Sequence, residues 1–185
     1  MLLKGKKIFL RPVSFYDAKI LYAWENDKTI WKFGNTSRTY TKKEIEHFIA
    51  ESQKDIYSTK QMRWIICCVS PKVSLTSIRK NKNEVGCIDL FDFDPHHRKA
   101  GVGILIANKK NRRKGYASES LQLLIKHSFN KLHLHQLYCN ITKNNAPSLR
   151  LFEIHKFKIA GKKKDWVILG NRFTDEFFLQ LINKQ

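Results

Sequence analysis

The segment from residue 103 to residue 130 constrains the fold most, because it joins three patterns without a break. An apolar run of strand length ends at Ala107, and a polar, basic stretch follows it. From about Asn111 to Asn130, apolar residues recur at helical spacing. A strand that leads through a short turn into a long helix is typical of mixed α/β domains. The pattern therefore predicts an α/β fold built around this unit.

The turn in this segment has the chemistry of a phosphate-binding site. The first amides of a helix lack internal acceptors, and the helix dipole adds partial positive charge there. Gly115 would let the backbone approach phosphate oxygens closely. Five cations lie in or beside the turn: Lys109, Lys110, Arg112, Arg113 and Lys114. A solvated basic helix start would carry the same charges, so charge alone leaves both interpretations open.

The rest of the chain alternates between strand and helix patterns. Short apolar runs predict strands at residues 7–12, 62–69, 84–93, 99–107 and 136–142, and further strands between residues 157 and 181. Helical spacing predicts helices at residues 15–25, 41–54, 111–130 and 146–156. The second of these begins with Thr41-Lys-Lys-Glu44, the pattern of a capping box. The polar stretch at residues 70–83 is expected to be a hairpin loop. No repeat or linker interrupts this order, so we predict one domain over residues 1–185.

The charge balance is strongly basic, with 35 Lys and Arg against 16 Asp and Glu and a formal net charge of +19. Such a surface attracts phosphates, nucleic acid or acidic proteins, or is solvated without a single partner. The apolar runs stay below the roughly 18 residues of a membrane helix, and the first residues lack a signal-peptide pattern. The cysteines lie in apolar runs without zinc spacing: Cys67, Cys68, Cys87 and Cys139. We therefore expect reduced thiols, a cytoplasmic location and no membrane contact.

Two blocks of residues resemble a known family. Arg112-x-x-Gly115-x-Ala117, placed after an apolar strand, resembles the [RQ]-x-x-G-x-[GA] signature of the GNAT superfamily of N-acetyltransferases. The block that starts at Asn145 and ends at Phe157 resembles that family's N-x-x-S-x-x-[LF]-[YF]-E-K-x-G-F element. The two blocks stand in the family's order along the chain.

Two further matches lie nearer to the N-terminus. Val85-Gly86-x-Ile-x-Leu90, followed by the Arg98-Lys-Ala-Gly-Val-Gly103 block, resembles a pair of adjacent strands of the same family. Leu10-Arg11-Pro12 with a following Asp17 resembles the opening of the spermidine/diamine and ribosomal-protein (RimJ/RimL) branch. The resemblance spans about residues 6 to 182 and is densest over residues 84–169.

The resemblance implies a GNAT fold, with a central, twisted, mostly antiparallel sheet of six to seven strands and about four helices. It implies acetyl-CoA as the cosubstrate and no metal. The pyrophosphate would be held by the turn and helix start, at Arg112, Arg113, Lys114, Gly115, Tyr116 and Ala117. The pantetheine would follow the strand edge at Leu105, Ile106 and Ala107. The far side of the coenzyme would be lined by Asn145, Ser148 and Phe152.

Acetyl transfer to an amine requires a general base, because an alkylamine is unprotonated only about one time in 2,500 at pH 7. Asp89 and Asp92 are the candidates, since they lie on the strand just before the turn at Pro95, where the resemblance places acidic residues near the substrate. A solvated carboxylate is the plainer alternative for each, and a histidine base is a further alternative. The odd spacing of the two aspartates on a regular strand would turn them to opposite faces, so that only one reaches the acceptor. In many relatives a glutamate stands where this chain has Gly101, which shifts weight to these two aspartates.

A proton source for the departing thiolate is less evident in the sequence. Where spermidine-type relatives carry a tyrosine, this chain has Phe152, which has no proton to give. Phe152 is interpreted as packing against the coenzyme or in the core. Tyr138 is the substitute candidate, although a structural tyrosine is the plainer alternative.

The acceptor amine is left open among several classes. A small di- or polyamine fits the overall resemblance best, although a chain of charge +19 repels polycations and residues 33–38 lack an acidic cluster. A protein N-terminal or ribosomal amine and an amino-sugar nucleotide are the enzyme alternatives. A basic RNA- or ribosome-binding module without catalysis is the alternative from another class. The sequence leaves the oligomeric state, including a homo-oligomer, undecided.

Overall fold

The computed structural model describes residues 1–31, 38–69 and 83–184, and within these it contains a single eight-stranded sheet. The strands are β1 (Leu3–Lys4), β2 (Ile8–Pro12), β3 (Met62–Cys68), β4 (Glu84–Asp94), β5 (Lys99–Ile106), β6 (Gln136–Thr142), β7 (Lys158–Leu169) and β8 (Arg172–Ile182). The helices are α1 (Ala18–Glu25), α2 (Lys28–Trp31), α3 (Lys42–Glu51), α4 (Ile56–Thr59), α5 (Tyr116–Asn130) and α6 (Ala146–Ile154).

The predicted α/β class with a mostly antiparallel sheet is confirmed, with more elements than expected. The described residues form eight strands and six α-helices. The additional elements are short, because β1 has two residues and α2 and α4 have four residues each. Elements of this length show no periodic pattern, so the sequence does not reveal them. The predicted loop at residues 70–83 and the segment 33–38 lie outside the described residues, apart from residues 83 and 38.

The sheet has the strand order β1-β2-β3-β4-β5-β6-β8-β7, and its neighbours are antiparallel except for β5 and β6. The parallel pairing of β5 and β6 covers three residue pairs, from Lys99 opposite Gln136 to Gly101 opposite Tyr138. Beyond these pairs, residues 102–106 and 139–142 continue as strands without pairing to each other. The two halves of the sheet therefore diverge from this point.

Helices cover the sheet on both faces, and each layer has its own core. Leu121 and Leu124 of α5 pack with Leu137 of β6 on one face. Leu21 of α1 and Ile49 of α3 pack against strands β2 to β4 on the other face. We refer to these as the α5 face and the α1/α3 face. None of the helices formed by residues 1–31, 38–69 and 83–184 is long and apolar enough to cross a membrane.

The helix starts follow from local chemistry that the sequence shows. Thr41 accepts a hydrogen bond from the amide of Glu44 at 3.2 Å, and the Glu44 carboxylate accepts one from the amide of Thr41 at 2.7 Å. This is the reciprocal capping box that the sequence predicts for α3. Helix α5 begins after Gly115, whose left-handed backbone (φ +85°) suits glycine.

Candidate active site

A cleft of about 600 Å³ opens on the α1/α3 face where β5 and β6 begin to pair. Its lining residues come from strands β4 to β8: Asp92, Asp94, Lys99, Gln136, Tyr138, Asn140, Lys163, Phe178 and Gln180. Two sequence candidates, Asp92 and Tyr138, line this cleft. The parting of β5 and β6 thus begins at the edge of the cleft.

Asp92 reaches the cleft because β4 contains a bulge. The pairing with β5 shifts between Phe91 and Asp94, and Asp92 has a φ of +48°. Phe93 is buried in the core of the α5 face, whereas the Asp92 carboxylate accepts a hydrogen bond from the Tyr138 hydroxyl at 2.8 Å. Tyr138 alternates with the buried Leu137 and therefore lies on the α1/α3 face.

The bulge corrects the expectation that Asp89 and Asp92 face opposite ways. Asp89 bonds to Arg63, whose guanidinium lies 4.8 Å from the ring centroid of Phe48 on α3, so Asp89 also lies on the α1/α3 face. A bulge inserts one extra residue and breaks the alternation of side chains. Both carboxylates consequently share a face, which odd spacing on a regular strand would forbid.

The surroundings of the two aspartates differ. Arg63 donates to both oxygens of Asp89, from Nε and Nη2 at 2.8 Å each, and its Nη1 donates to Glu25 at 2.6 Å. Asp92, within the part of the chain that the structure describes, accepts one hydrogen bond, from Tyr138. Asp92 therefore has an oxygen available for a proton from a substrate, while Asp89 anchors Arg63.

The Arg63 cluster joins α1 to β3 and β4, and we expect its loss to be structural. Arg63→Gln leaves the partly buried Glu25 and Asp89 without their cation, so unfolding free energy should fall by about 1.5–3 kcal/mol. Arg38→Gln is the matched control, because the Arg38–Glu44 pair is 60% and 40% exposed and screened by water, so its loss should lower the unfolding free energy less. Urea unfolding of both variants checks this, and equal losses would refute the role of the cluster.

Tyr138 is held as a neutral hydrogen-bond donor. Burial raises the pKa of Tyr138, and its hydrogen bond to the Asp92 carboxylate raises it further. The ring packs edge-on against Phe91, with centroids 5.9 Å apart, and tilted against Phe178 at 5.5 Å. Tyr138 thus keeps its proton and presents it at Asp92, inside the cleft.

The edge of β5 beyond Gly101 is open along the divergence. The amide of Ala107 donates to the carbonyl of Val85 on β4 at 3.0 Å, so residue 107 is paired inward. Alternation then directs the backbone groups of Ile106 and Ile104 toward the open edge. Arg112 Nε donates to the Ile106 carbonyl at 3.2 Å. Of the predicted edge residues 105–107, only Ile106 therefore presents its backbone there, and Ile104 joins it.

The turn before α5 leaves several amides available. Its first helical bond runs from the amide of Glu119 to the carbonyl of Gly115 at 3.0 Å, so Tyr116, Ala117 and Ser118 have amides without a helical acceptor. Among the residues that the structure describes, a Cβ at Gly115 would meet only Lys7, whose Nζ would lie 3.4 Å away. Open space, unused amides and nearby cations fit a pyrophosphate, as the sequence predicts.

Two cations at this turn were not predicted. Lys6 and Lys7 line a second cavity of about 420 Å³ with Lys114 and Tyr116. The Glu119 carboxylate positions them, because it accepts hydrogen bonds from the amides of Lys6, Lys7 and Ile8. This contact joins residues more than 100 positions apart, and no local pattern in the sequence signals it.

Gly115 provides a direct test of the turn. Gly115→Ala should lower acetyl-CoA affinity at least about tenfold, because a Cβ would enter the space that the sequence assigns to the phosphate and the left-handed backbone would be strained. Gly170→Ala is the matched control, since Gly170 has φ +63° and a Cβ there meets no described atom within 4 Å. Calorimetry should show weaker coenzyme binding for the first variant only. Equal affinity of both folded variants would misplace the site.

The residues predicted beside the coenzyme on α6 have structural contacts of their own. Asn145 caps the helix and accepts a hydrogen bond from the amide of Ser148 at 3.3 Å. Phe152 is only 3% exposed and packs edge-on against Phe157, with centroids 4.9 Å apart. Phe152 therefore packs in the core, one of the two roles that the sequence left open.

A family profile and curated proteins both match this chain over most of its length. The family profile described as an Acetyltransferase (GNAT) domain matches residues 7–158. An uncharacterized N-acetyltransferase, YnaD, of Bacillus subtilis is 20% identical over 184 residues, which cover 97% of this chain and 96% of the relative. A spermidine N(1)-acetyltransferase of Vibrio cholerae is 21% identical over 171 residues, covering 92% of this chain and 90% of that protein.

Solved structures show the same fold at low identity. The spermidine N-acetyltransferase of Vibrio cholerae in complex with CoA and spermine superposes with a TM-score of 0.82, at 19% identity and 96% coverage of both chains. RimL, a ribosomal L7/L12 alpha-N-protein acetyltransferase in complex with CoA, gives a TM-score of 0.81, at 14% identity and 98% coverage of both chains.

Proposed function

Since the chain belongs to the GNAT acetyltransferase family, we propose that it transfers an acetyl group from acetyl-CoA to a small primary amine bound in the cleft. One observation carries this proposal. The hydrogen-bonded pair Asp92 and Tyr138 lies in the cleft at the point where β5 and β6 diverge. The proposed base and proton donor therefore lie where the gap between β5 and β6 begins. This gap leads toward the basic turn before α5.

The coenzyme would run along β5 from this gap to the start of α5. The open edge of β5 at Ile104 and Ile106 would pair with the amide groups of pantetheine. The amides at the start of α5, with Gly115 before them, would hold the pyrophosphate. Lys6 and Lys7 add positive charge beside the same turn. The thioester would then lie near the parting of the strands, next to Tyr138.

The proposed chemistry uses Asp92 and Tyr138 as a connected pair. The amine nitrogen attacks the thioester carbonyl carbon, so that a C–N bond forms and the C–S bond breaks. Asp92 accepts the proton that the nitrogen loses. Tyr138 gives its proton to the departing sulfur and regains one from Asp92, to which it is already bonded at 2.8 Å. One proton thus moves from nitrogen to sulfur overall.

The cleft supports a small amine with few charges. Spermidine acetylation is the activity named for the Vibrio cholerae relative and for the Vibrio cholerae structure. In this chain, however, Lys99 and Lys163 line the cleft together with Asp92 and Asp94. Lys163 is paired with Glu176, so Lys99 alone offsets the two carboxylates, and a polycation gains little beyond its first ammonium. A single ammonium beside Asp92 fits the charges better.

A free-thiol release assay tests the proposal. The full chain is mixed with acetyl-CoA and, in turn, a monoamine, spermidine, a peptide with a free terminal amine and an amino-sugar nucleotide. Thiol release that depends on a small amine supports the proposal. Release with none of these acceptors, from a protein that binds acetyl-CoA, would refute acetyl transfer to amines of these classes.

A protein amine is the second candidate, and one feature favours it. The β7–β8 hairpin extends past the end of β6 and exposes Trp166, Ile168 and Phe173 by 62%, 60% and 64%. The extension begins at Lys163, which lines the cleft and has its Nζ 5.2 Å from the Trp166 ring centroid. A protein acceptor could contact this hairpin while its amine enters the cleft. Faster turnover of peptides than of small amines would favour this candidate.

A further inference from the structure

We propose that three aromatic side chains determine which acceptor the cleft prefers. The preferred acceptor is an amine with one positive charge and an attached aromatic or extended apolar group. The three are Phe91, Tyr138 and Phe178, called here the aromatic row. The inference rests on the proposed function and narrows the substrate class of the same cleft.

The row forms a continuous apolar surface beside the base. The Phe91 and Tyr138 ring centroids lie 5.9 Å apart at 83°, and those of Tyr138 and Phe178 lie 5.5 Å apart at 34°. Tyr138 and Phe178 line the cleft, and the Tyr138 hydroxyl marks the position of Asp92. An amine placed at Asp92 would therefore hold its nearest carbons against these rings. Aromatic rings bind other rings and apolar chains through their faces and edges.

Gly101 and Phe91 form a matched pair that creates this surface. A Cβ at Gly101 would lie 2.3 Å from Cε2 of Phe91, so no other residue fits there unless the ring moves. The ring of Phe91 thus covers the backbone of β5 at the edge of the cleft. A side chain at position 101 could carry a carboxylate, but here the Phe91 ring occupies that space. The local surface becomes apolar as a result.

The charges around the row fit one ammonium group and no more. Asp94 stays ionised, because hydrogen bonds from the backbone and ring of His97 lower the pKa of Asp94 to about 2. Lys163 donates to Asn140 and to the buried carboxylate of Glu176, at 2.9 and 3.0 Å, so Glu176 balances its charge. Lys99 offsets one of the two aspartates that line the cleft. One negative charge therefore remains for one ammonium of the acceptor.

The experiment compares amines that differ in one property. Thiol release by the full chain with acetyl-CoA is measured for phenethylamine, ethylamine and spermidine. The aromatic row predicts a kcat/KM for phenethylamine at least about tenfold above those of ethylamine and spermidine. Phe178→Leu, which keeps an apolar side chain without the ring, should raise KM for phenethylamine severalfold. The same variant should raise KM for ethylamine less, since the two carbons of ethylamine can contact less of the ring.

Phe173→Ala is the control, because Phe173 is 64% exposed outside the cleft and its loss should change KM for neither amine. Phe91→Ala gives a second, independent test, with the same selective rise in KM for phenethylamine. A higher kcat/KM for spermidine or ethylamine, or an equal effect of Phe178→Leu on KM for both amines, would refute selection by the aromatic row. Acetyl transfer to small amines would still be supported by either result. No thiol release with any of the three amines would overturn the proposed function and this inference together.

Discussion

Replacing Asp92 by asparagine should lower kcat/KM by about 10²–10³-fold, within the range of a lost general base. The amide keeps the size of the side chain and can still meet the Tyr138 hydroxyl, but it cannot accept the proton from the amine. The loss should be greatest toward pH 6 in a profile from pH 6 to 9, because the unprotonated amine is scarcest there. Steady-state thiol release over a range of small-amine concentrations measures it.

Asp89→Asn separates catalysis from structure in the same experiment. Both oxygens of Asp89 accept hydrogen bonds from Arg63, so Asp89→Asn should lower the free energy of unfolding. Its effect on turnover of the folded protein should be smaller than that of Asp92→Asn. Asp92→Asn, on an exposed bulge, should leave unfolding nearly unchanged. If the Asp92→Asn variant keeps parental activity over this pH range, the carboxylate is not the base.

Truncation of Phe152 should give the largest loss of stability. Its ring is 3% exposed and packs on Phe157, so Phe152→Ala should lower the unfolding free energy by about 3–5 kcal/mol. The cost combines lost apolar burial with the cavity that the surrounding core cannot fill. Urea unfolding followed by circular dichroism measures it. Acetyl-CoA affinity of the folded variant should change little, since the ring belongs to the core.

Two variants on the same helix sharpen this result. Ile154→Ala is the control, because Ile154 is 64% exposed and its truncation should cost under about 1 kcal/mol. Phe152→Tyr buries a hydroxyl in an apolar core and should cost about 1–3 kcal/mol without raising turnover. A Phe152→Ala variant that unfolds like the parent would show that the ring is solvent-exposed. Higher turnover of Phe152→Tyr would place position 152 at the reacting sulfur.

Local patterns in the sequence determined much of the fold. The capping box at Thr41 and Glu44 and the apolar periodicity of α5 depend on neighbouring residues alone, and both are found in the structure, although α5 begins at Tyr116 and not at Asn111. The basic turn was predicted as a phosphate site for the same reason, since amides at a helix start lack acceptors whatever the rest of the chain does. Local chemistry is readable because its partners lie within a few positions.

Only the tertiary structure decided which residues meet in the cleft. Asp92 and Tyr138 are 46 positions apart, and a bulge with a φ of +48° was needed to turn Asp92 toward the hydroxyl. Lys7 reaches the turn through Glu119, 112 positions away. Strand alternation predicted opposite faces for Asp89 and Asp92, because sequence spacing assumes a regular pleat and carries no information on where pairing slips. Contacts between distant strands depend on register, which the folded sheet alone fixes.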